Sequence, residues 1–270
     1  MELIFCEEEW HNILLQTVDR RQHSSEIADA DFYKTFYETF DDNGGSLSPE
    51  WLDRKTNISQ WIEKTFLQLP AGMNKDSFKI LSLGVGLGII EEPWIRKGFQ
   101  VHLQECQEVS LKRLRSKFQT VPIHIGDARS VNAPGGQYSL VIFSALDYVF
   151  DRKGYRELLQ EVRRLLNPEG KAVCVCVSNL GFKAMIFSLI KKLISHRNKE
   201  SVIPWGYHRT VGEHIRSGKK AGLTAEKVYI FDNHLHPIGV RRSRVFMSLP
   251  TLKSVSIAIE WSKAGRKEQA

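Results

Sequence analysis

The residues best placed to do chemistry stand in the stretch KILSLGVGLGI, Lys79 to Ile89. An apolar run ends there, and glycine then recurs at every second position, Gly84, Gly86 and Gly88, with Val85 between. Glycines in that pattern let bare backbone approach a ligand that a β-carbon would hold off. A helix beginning behind such a loop aims the positive end of its dipole at the same place. NAD, FAD or another nucleoside would suit it, and a glycine loop alone does not choose among them. Two acids narrow the choice. Glu105 follows a second apolar run, seventeen residues past Gly88, where an acid accepts hydrogen bonds from both ribose hydroxyls. Its competing reading is a surface glutamate at a strand end. Asp127, in GDARSV after a third run, can accept from an adenine amine while the Ala128 N–H donates to a ring nitrogen.

These residues need a scaffold that brings strand ends together. From Phe78 the pattern alternates strand and helix. Strands are expected at 79–83, 100–104, 121–125, 139–145 and 171–177, all continuous apolar runs of the kind buried on both faces. YRELLQEVRRLL places Tyr155, Leu158, Leu159, Val162, Leu165 and Leu166 on one helix face, and NPEG at 167–170 turns into the next strand. This is a doubly wound parallel sheet. Thr210 with Glu213 reads as a capping box. EKVYIF (226–231) and RSRVFMSL (242–249) read as two further strands, too close for a helical crossover and therefore antiparallel. Residues 1–75 read as a helical extension, with Phe32, Phe36 and Phe40 on one face and Ser48–Pro49 opening a second helix.

With those residues in hand, residues 78 to 249 resemble a class I S-adenosylmethionine-dependent methyltransferase of the small-molecule kind. The glycine loop, Glu105, Asp127, the NPEGK turn and a terminal antiparallel strand match in order. The resemblance implies a seven-stranded, mostly parallel α/β sheet with an antiparallel last strand, a helical N-terminal extension and a helical insertion after the fifth strand. In domains, it implies a lid over 1–75, a cofactor-binding core over 76–250 with the insertion at 180–210, and a C-terminal tail over 251–270. Gly84, Val85, Gly86, Gly88, Glu105, Asp127, Ala128 and Ser144 are the expected contacts to S-adenosylmethionine and its product S-adenosylhomocysteine.

The acceptor side carries weaker signals. Ligands of this fold sit beyond the carboxyl ends of the strands, where SALDYVF, SNLGF, GYHRT and FDNHLHP should converge. His208, His234 and His236 are candidate bases, since histidine accepts a proton near neutral pH. Asp147 and Tyr148 are the alternatives. Each histidine could equally be a loop residue bonded to backbone. SALDY stands at the fourth strand end, where methyltransferases of base amines carry a [DN]PP[YF] motif. The fifth strand ends in Ser178 and Asn179, so no metal is expected.

Bulk composition sets outer limits. Hydrophobic residues make 42% of the chain and charged ones 26%, ordinary for a globular protein. No apolar run is long enough to cross a bilayer, and MELIFCEEEW lacks the basic flank of a signal peptide, so a cytoplasmic protein is expected. Cys174 and Cys176 share one face of a strand and read as buried thiols. The formal charge is +7, and residues 181–222 hold nine Lys or Arg against two Glu. That segment is a solvated surface or a seat for an anionic partner, and 181–194 reads as a lid helix or an interfacial one meeting anionic lipid. A small-molecule hydroxyl or amine is thus the expected acceptor. A nucleic-acid or lipid-linked substrate held by the basic segment is the second reading, and a non-catalytic nucleoside-binding module the third.

Overall fold

The computed structural model describes residues 3–7, 9–11, 13–14, 30–69, 74–176, 181–183, 186, 203–242, 244–247, 251 and 255–265. In chain order the elements are β1 (Leu3–Glu7), β2 (Glu9–Trp10), β3 (Ile13–Leu14), α1 (Ala30–Asp42), α2 (Pro49–Phe66), β4 (Lys79–Leu83), α3 (Glu92–Arg96) and β5 (Gln100–Glu105). Then come α4 (Lys112–Lys117), β6 (Ile123–Ile125), β7 (Tyr138–Ser144), α5 (Arg152–Leu165), β8 (Leu166–Cys176) and β9 (Ile203–His208). The last are α6 (Val211–Lys220), β10 (Leu223–Phe231), β11 (Pro237–Arg241), α7 (Arg244–Met247) and β12 (Ile257–Lys263).

The central sheet has eight strands in the order β11-β10-β12-β8-β7-β4-β5-β6. Strands β4 to β8 run parallel, while β12 is antiparallel to both β8 and β10, and β11 antiparallel to β10. Chain order reverses at β4, which lies between β5 and β7. Such a switch point opens a crevice at the carboxyl ends of the strands, and the glycine loop leaves β4 there.

Both faces of the sheet are covered. The apolar stripe of α5 (Tyr155, Leu158, Leu159, Val162) packs with Leu81, Val141, Phe143 and Trp261 on one side. On the other, Ile58, Trp61 and Ile62 of α2 pack with Ile80, Leu103, Ile142 and Phe231. Trp61 stands edge-on to Tyr229 and Phe231, with centroids 4.9 and 5.0 Å away. Helix α2 is therefore a layer of the core and not part of a lid, which corrects the single extension expected over 1–75. Its cap forms as expected, with Ser48 Oγ accepting from the Trp51 N–H at 3.2 Å. The capping box of Thr210 and Glu213 forms likewise.

Three further expectations change. The described residues of 242–249 do not form the expected strand: β11 ends at Arg241 and α7 follows. The inserted antiparallel strand is β12, wedged between β8 and β10, so the stretch expected as a tail contributes a core strand at Ile257–Lys263. The N-terminal region is not wholly helical either, because β1 pairs antiparallel with β9 and ties the chain's start to the segment after β8. Of the insertion at 180–210, β9 is a strand. Most of 181–194, together with Ser178 and Asn179, lies outside the described residues.

In β12 the buried Ile259 pairs with Cys174 on one side and Val228 on the other. Truncating a buried isoleucine to alanine costs about 2–5 kcal/mol through lost burial and a residual cavity. Ile259→Ala should lower the unfolding free energy obtained from urea titration by that amount. A change within about 0.5 kcal/mol, ordinary for a surface position, would place β12 outside the core.

Candidate functional site

Gly84, Gly86 and Gly88 all adopt positive φ, at 62°, 56° and 70°, a region that L side chains enter only with strain. Space is also short. A β-carbon on Gly88 would lie 1.8 Å from Leu114 Cδ1, and one on Gly84 would lie 2.9 Å from Leu146 Cδ1. One on Gly86 would meet the Tyr37 hydroxyl at 2.9 Å. The loop is thus clamped by α4, by the chain after β7 and by α1.

Polar groups from β5 fix its path. The Gly84 and Val85 N–H groups donate to the Gln104 carbonyl at 3.0 and 3.3 Å. The Gly86 N–H donates to Glu105 Oε2 at 2.5 Å, and the Cys106 N–H donates to Oε1 at 2.7 Å. Burial pushes the Glu105 carboxyl upward, against the pull of those two donors. Each oxygen keeps a second lone pair for a ligand hydroxyl. Asp127 is gripped by Arg129, whose Nη2 approaches Oδ2 at 2.6 Å. Partial burial would raise its carboxyl, but the Arg129 hydrogen bonds and charge hold it below the usual range.

A cavity of about 850 Å³ opens over this loop. Gly84, Val85, Gly86, Gly88, Glu105, Asp127, Ala128, Ser144 and Tyr148 all line it, so the expected cofactor contacts converge with one of the five expected catalytic residues. Tyr33 and Tyr37 of α1 line it as well, and burial drives both phenols well above their ordinary range, keeping them protonated.

The other candidates stand elsewhere. His234 and His236 are exposed on the β10–β11 turn. Their N–H groups donate to Asp232 Oδ1 at 2.9 and 2.8 Å, and the His234 carbonyl accepts from Asn57 at 2.9 Å. His208 ends β9, paired with Leu3. Asp147 is fully buried, with His214 Nε2 3.7 Å from Oδ2. Asp147, Cys176 and His214 could share one ion by proximity, yet Arg209 already brings a cation to this pocket, and it lowers the His214 pKa along with burial. Among the described residues the histidine on the cavity wall is His11, joined there by Trp10, Trp51 and Lys55. Sequence reading passed over all four. Trp51 and Lys55, four apart on a capped helix, were the legible pair; Trp10 and His11 carried no local signal. No described helix is long and apolar enough to cross a membrane.

A parallel sheet with a glycine loop at its switch point and acids ending the next strands defines a nucleoside-binding α/β domain. Residues 80–170 match the family model described as a methyltransferase domain, and the core has the Rossmann-like fold of class I S-adenosylmethionine-dependent methyltransferases. The magnesium protoporphyrin IX methyltransferase of Synechocystis PCC 6803, solved with bound SAH, is similar, with a TM-score of 0.56 at 12% identity over 86% of this chain and 99% of that one. A putative sarcosine dimethylglycine methyltransferase from Galdieria sulphuraria gives 0.56 at 17% identity, over 86% and 98%. The PH0226 protein of Pyrococcus horikoshii OT3 gives 0.54 at 19% identity, over 80% and 92%. No curated protein matches the chain. The cradle fits S-adenosylmethionine, the cofactor of this class: backbone at positive φ beside a carboxylate with spare lone pairs.

Two measurements probe the cradle. Glu105→Ala removes the acceptor for Gly86, and calorimetry should show S-adenosylhomocysteine bound more weakly by about 1.5–3 kcal/mol, the scale of hydrogen bonds to a charged group. Unchanged affinity would remove Glu105 from the site. The second concerns Glu91, buried behind the loop, where Ser82 Oγ donates to Oε1 at 2.6 Å. Burial raises its carboxyl from 4.5 to about 7. A raised folded pKa favours the protonated form, so this group's contribution to stability is full below pH 4.5 and declines as pH rises to 7. Glu91→Gln should therefore match the parent in acid and exceed it at pH 8, by roughly 1.4 kcal/mol per pKa unit relieved. Equal urea midpoints at pH 8 would contradict the buried-acid reading.

Proposed function

We propose that the protein transfers the methyl group of S-adenosylmethionine to a hydroxyl or amine of a small-molecule acceptor. The observation that carries this reading is the continuity of one cavity. It runs from the glycine loop, Glu105 and Asp127 to an aromatic end beneath β2, the turn after it and α1. The cofactor supplies a methyl group already activated on a sulfonium. The chain's own work is to hold, align and shield. Glu105 takes the ribose hydroxyls, and Asp127 with the Ala128 N–H takes the adenine. Ser144 and Tyr148 border the space between cofactor and acceptor. Tyr33 and Tyr37, held protonated, serve as donors and not as bases. A proton leaving the acceptor finds His11 on the wall, its imidazole kept neutral by a pKa lowered to about 4 through burial and the charge of Lys55. Neighbours of this fold are named for acceptors as unlike as a magnesium porphyrin and sarcosine or dimethylglycine, which supports a small molecule and leaves its identity to the pocket.

A second reading, an acceptor carried on an anion, is favoured by a groove between α5 and α6 where Arg152, Arg156, Arg216 and Lys220 outnumber Glu213, which lies 3.6 Å from Arg152. Steep loss of binding with salt would mark a nucleic-acid carrier; weak salt dependence marks the free small molecule.

Transfer of a labelled methyl group to members of an aromatic and aliphatic hydroxyl and amine panel tests the activity. Trp10→Ala, which opens the aromatic end by removing a ring stacked 4.3 Å from Phe36, should lower turnover by about 10²-fold, the cost of a misplaced reactant, with cofactor affinity little changed. Tight NAD binding without response to S-adenosylmethionine would overturn the reading.

A further inference from the structure

Among the described residues three cations line the cavity, and two of them are already matched by acids. Arg129 forks onto Asp127 and reaches Glu157 at 3.6 Å. Lys153 approaches the same Glu157 at 3.8 Å. Lys55 differs. Its ammonium stands 5.2 Å from the centroid of the Trp51 ring, and it makes no hydrogen bond or ion pair with a described residue. Burial pulls its pKa down to about 8, against the attraction of Glu91 and with the added repulsion of Arg54. Glu91 is a poor counter-ion, because burial behind the glycine loop raises its carboxyl to about 7 although the Ser82 hydroxyl and the Lys55 charge pull it down, and no ion pair joins it to Lys55. An ammonium half-buried at a cavity wall beside a neutral ring is incompletely solvated and unpaired, and a ligand anion placed there offsets that cost.

Its surroundings indicate the ligand's shape. Trp10 stacks on His11 at 4.7 Å, and His11 stands edge-on to Trp51 at 4.6 Å. His11 Nε2 is buried without a hydrogen-bond partner among the described residues. All four side chains line the cavity. The arrangement is a flat-walled aromatic cup with one ammonium in its wall.

We propose that Lys55 is the carboxylate receptor of this cavity, holding the acid group of a bound small molecule at the aromatic end formed by Trp10, His11 and Trp51. The proposal rests on reading the cavity as the methyl-transfer site. Two molecules there can carry that group: an acceptor with a planar aromatic acid, or the cofactor through its amino-acid end. Both place one carboxylate oxygen against the ammonium.

Lys55→Met keeps the stem on Trp51 and removes the charge; Lys55→Arg keeps the charge. Calorimetry on the full chain compares S-adenosylhomocysteine with methylthioadenosine, the same nucleoside thioether without an amino-acid carboxylate. It then compares benzoate and indole-3-acetate on the protein loaded with S-adenosylhomocysteine. If the carboxylate is the cofactor's, Lys55→Met raises the Kd of S-adenosylhomocysteine at least tenfold and moves that of methylthioadenosine less than twofold. If it is the acceptor's, both nucleosides bind unchanged while arylcarboxylate binding falls at least tenfold. In either case Lys55→Arg restores affinity to within about threefold, which a merely structural role would not predict. Unchanged affinities for every probe in Lys55→Met overturn the proposal with the cofactor site intact. A wild-type protein that binds neither nucleoside overturns the methyl-transfer reading itself, and the proposal falls with it.

Discussion

The hydrogen bond from the Gly86 N–H to Glu105, at 2.5 Å, joins two strand ends that would otherwise be free to diverge. A loop with three residues at positive φ cannot close regular backbone ladders, so its N–H groups need acceptors from outside it. Strand β5 supplies them. The Gln104 carbonyl takes Gly84 and Val85, and the Gln104 side chain also receives Gly84 while donating to the Gly126 carbonyl at 2.6 Å. Two adjacent residues thereby fix both the glycine loop and the loop that carries Asp127. Register makes this possible, with Leu83 opposite Gln104 and Glu105 opposite Ile125. A slip of one residue would turn Glu105 to the other face of the sheet and leave the loop unanchored.

The opposite wall of the cavity has its own anchor. Residues 145–150 leave β7 through Ala145, whose φ of 57° is strained for a residue with a β-carbon. The Arg209 guanidinium donates to the Asp147 and Phe150 carbonyls and lies over the Tyr155 ring, 4.6 Å from its centroid. Tyr155 in turn meets His214 Nδ1 at 2.8 Å. Burial and the Arg209 charge drop the His214 pKa to about 3, so the ring is neutral. Asp147 belongs to this network behind the wall, and its geometry is that of a group that shapes the loop bearing Tyr148 and Phe150.

Much of this was legible in the sequence, for identifiable reasons. Strand β4 was read with its observed ends because its apolar run stops at a glycine. The capping box at Thr210 and the α5 stripe from Tyr155 to Leu165 rest on local spacing and formed as read, while Leu166 and the NPEG turn expected at 167–170 belong instead to the start of β8. Strand β12 was missed because Glu260 interrupts its apolar pattern. The structure buries that acid by surrounding it: Lys171 at 2.6 Å, Lys227 at 3.3 Å and the Tyr229 hydroxyl at 2.8 Å. These partners come from neighbouring strands, and no window of local sequence contains them. RSRVFMSL misled for the opposite reason. It is apolar enough for a strand, yet Phe246 is exposed. The glycine loop and its acids were readable because strand ends fix them. Trp10, His11 and Lys55 were not, since long-range packing brings them to the cavity.

The pairing of the N-terminal strand follows the same logic of distant partners. Strand β1 pairs with β9 across some two hundred residues of chain, with Leu3 opposite His208 and Ile4 opposite Tyr207. Strand β9 is also seated on the cavity wall. The Tyr207 N–H donates to the Tyr148 carbonyl at 2.8 Å. A β-carbon on Gly206 would lie 2.5 Å from Tyr148 Cδ2, so glycine is what permits the strand to lie flat on that ring. Tyr148 is buried and shares a cluster with Phe32, Phe36, Tyr37 and Leu87. One tyrosine therefore packs with β9, α1 and the glycine-loop leucine at once. A displacement of β9 cannot leave Tyr148 in place, and a displacement of Tyr148 cannot leave the packing of α1 on the loop in place. Access to the cavity and the shape of its cofactor end are thus one mechanical problem, set by a single aromatic ring and the glycine that faces it.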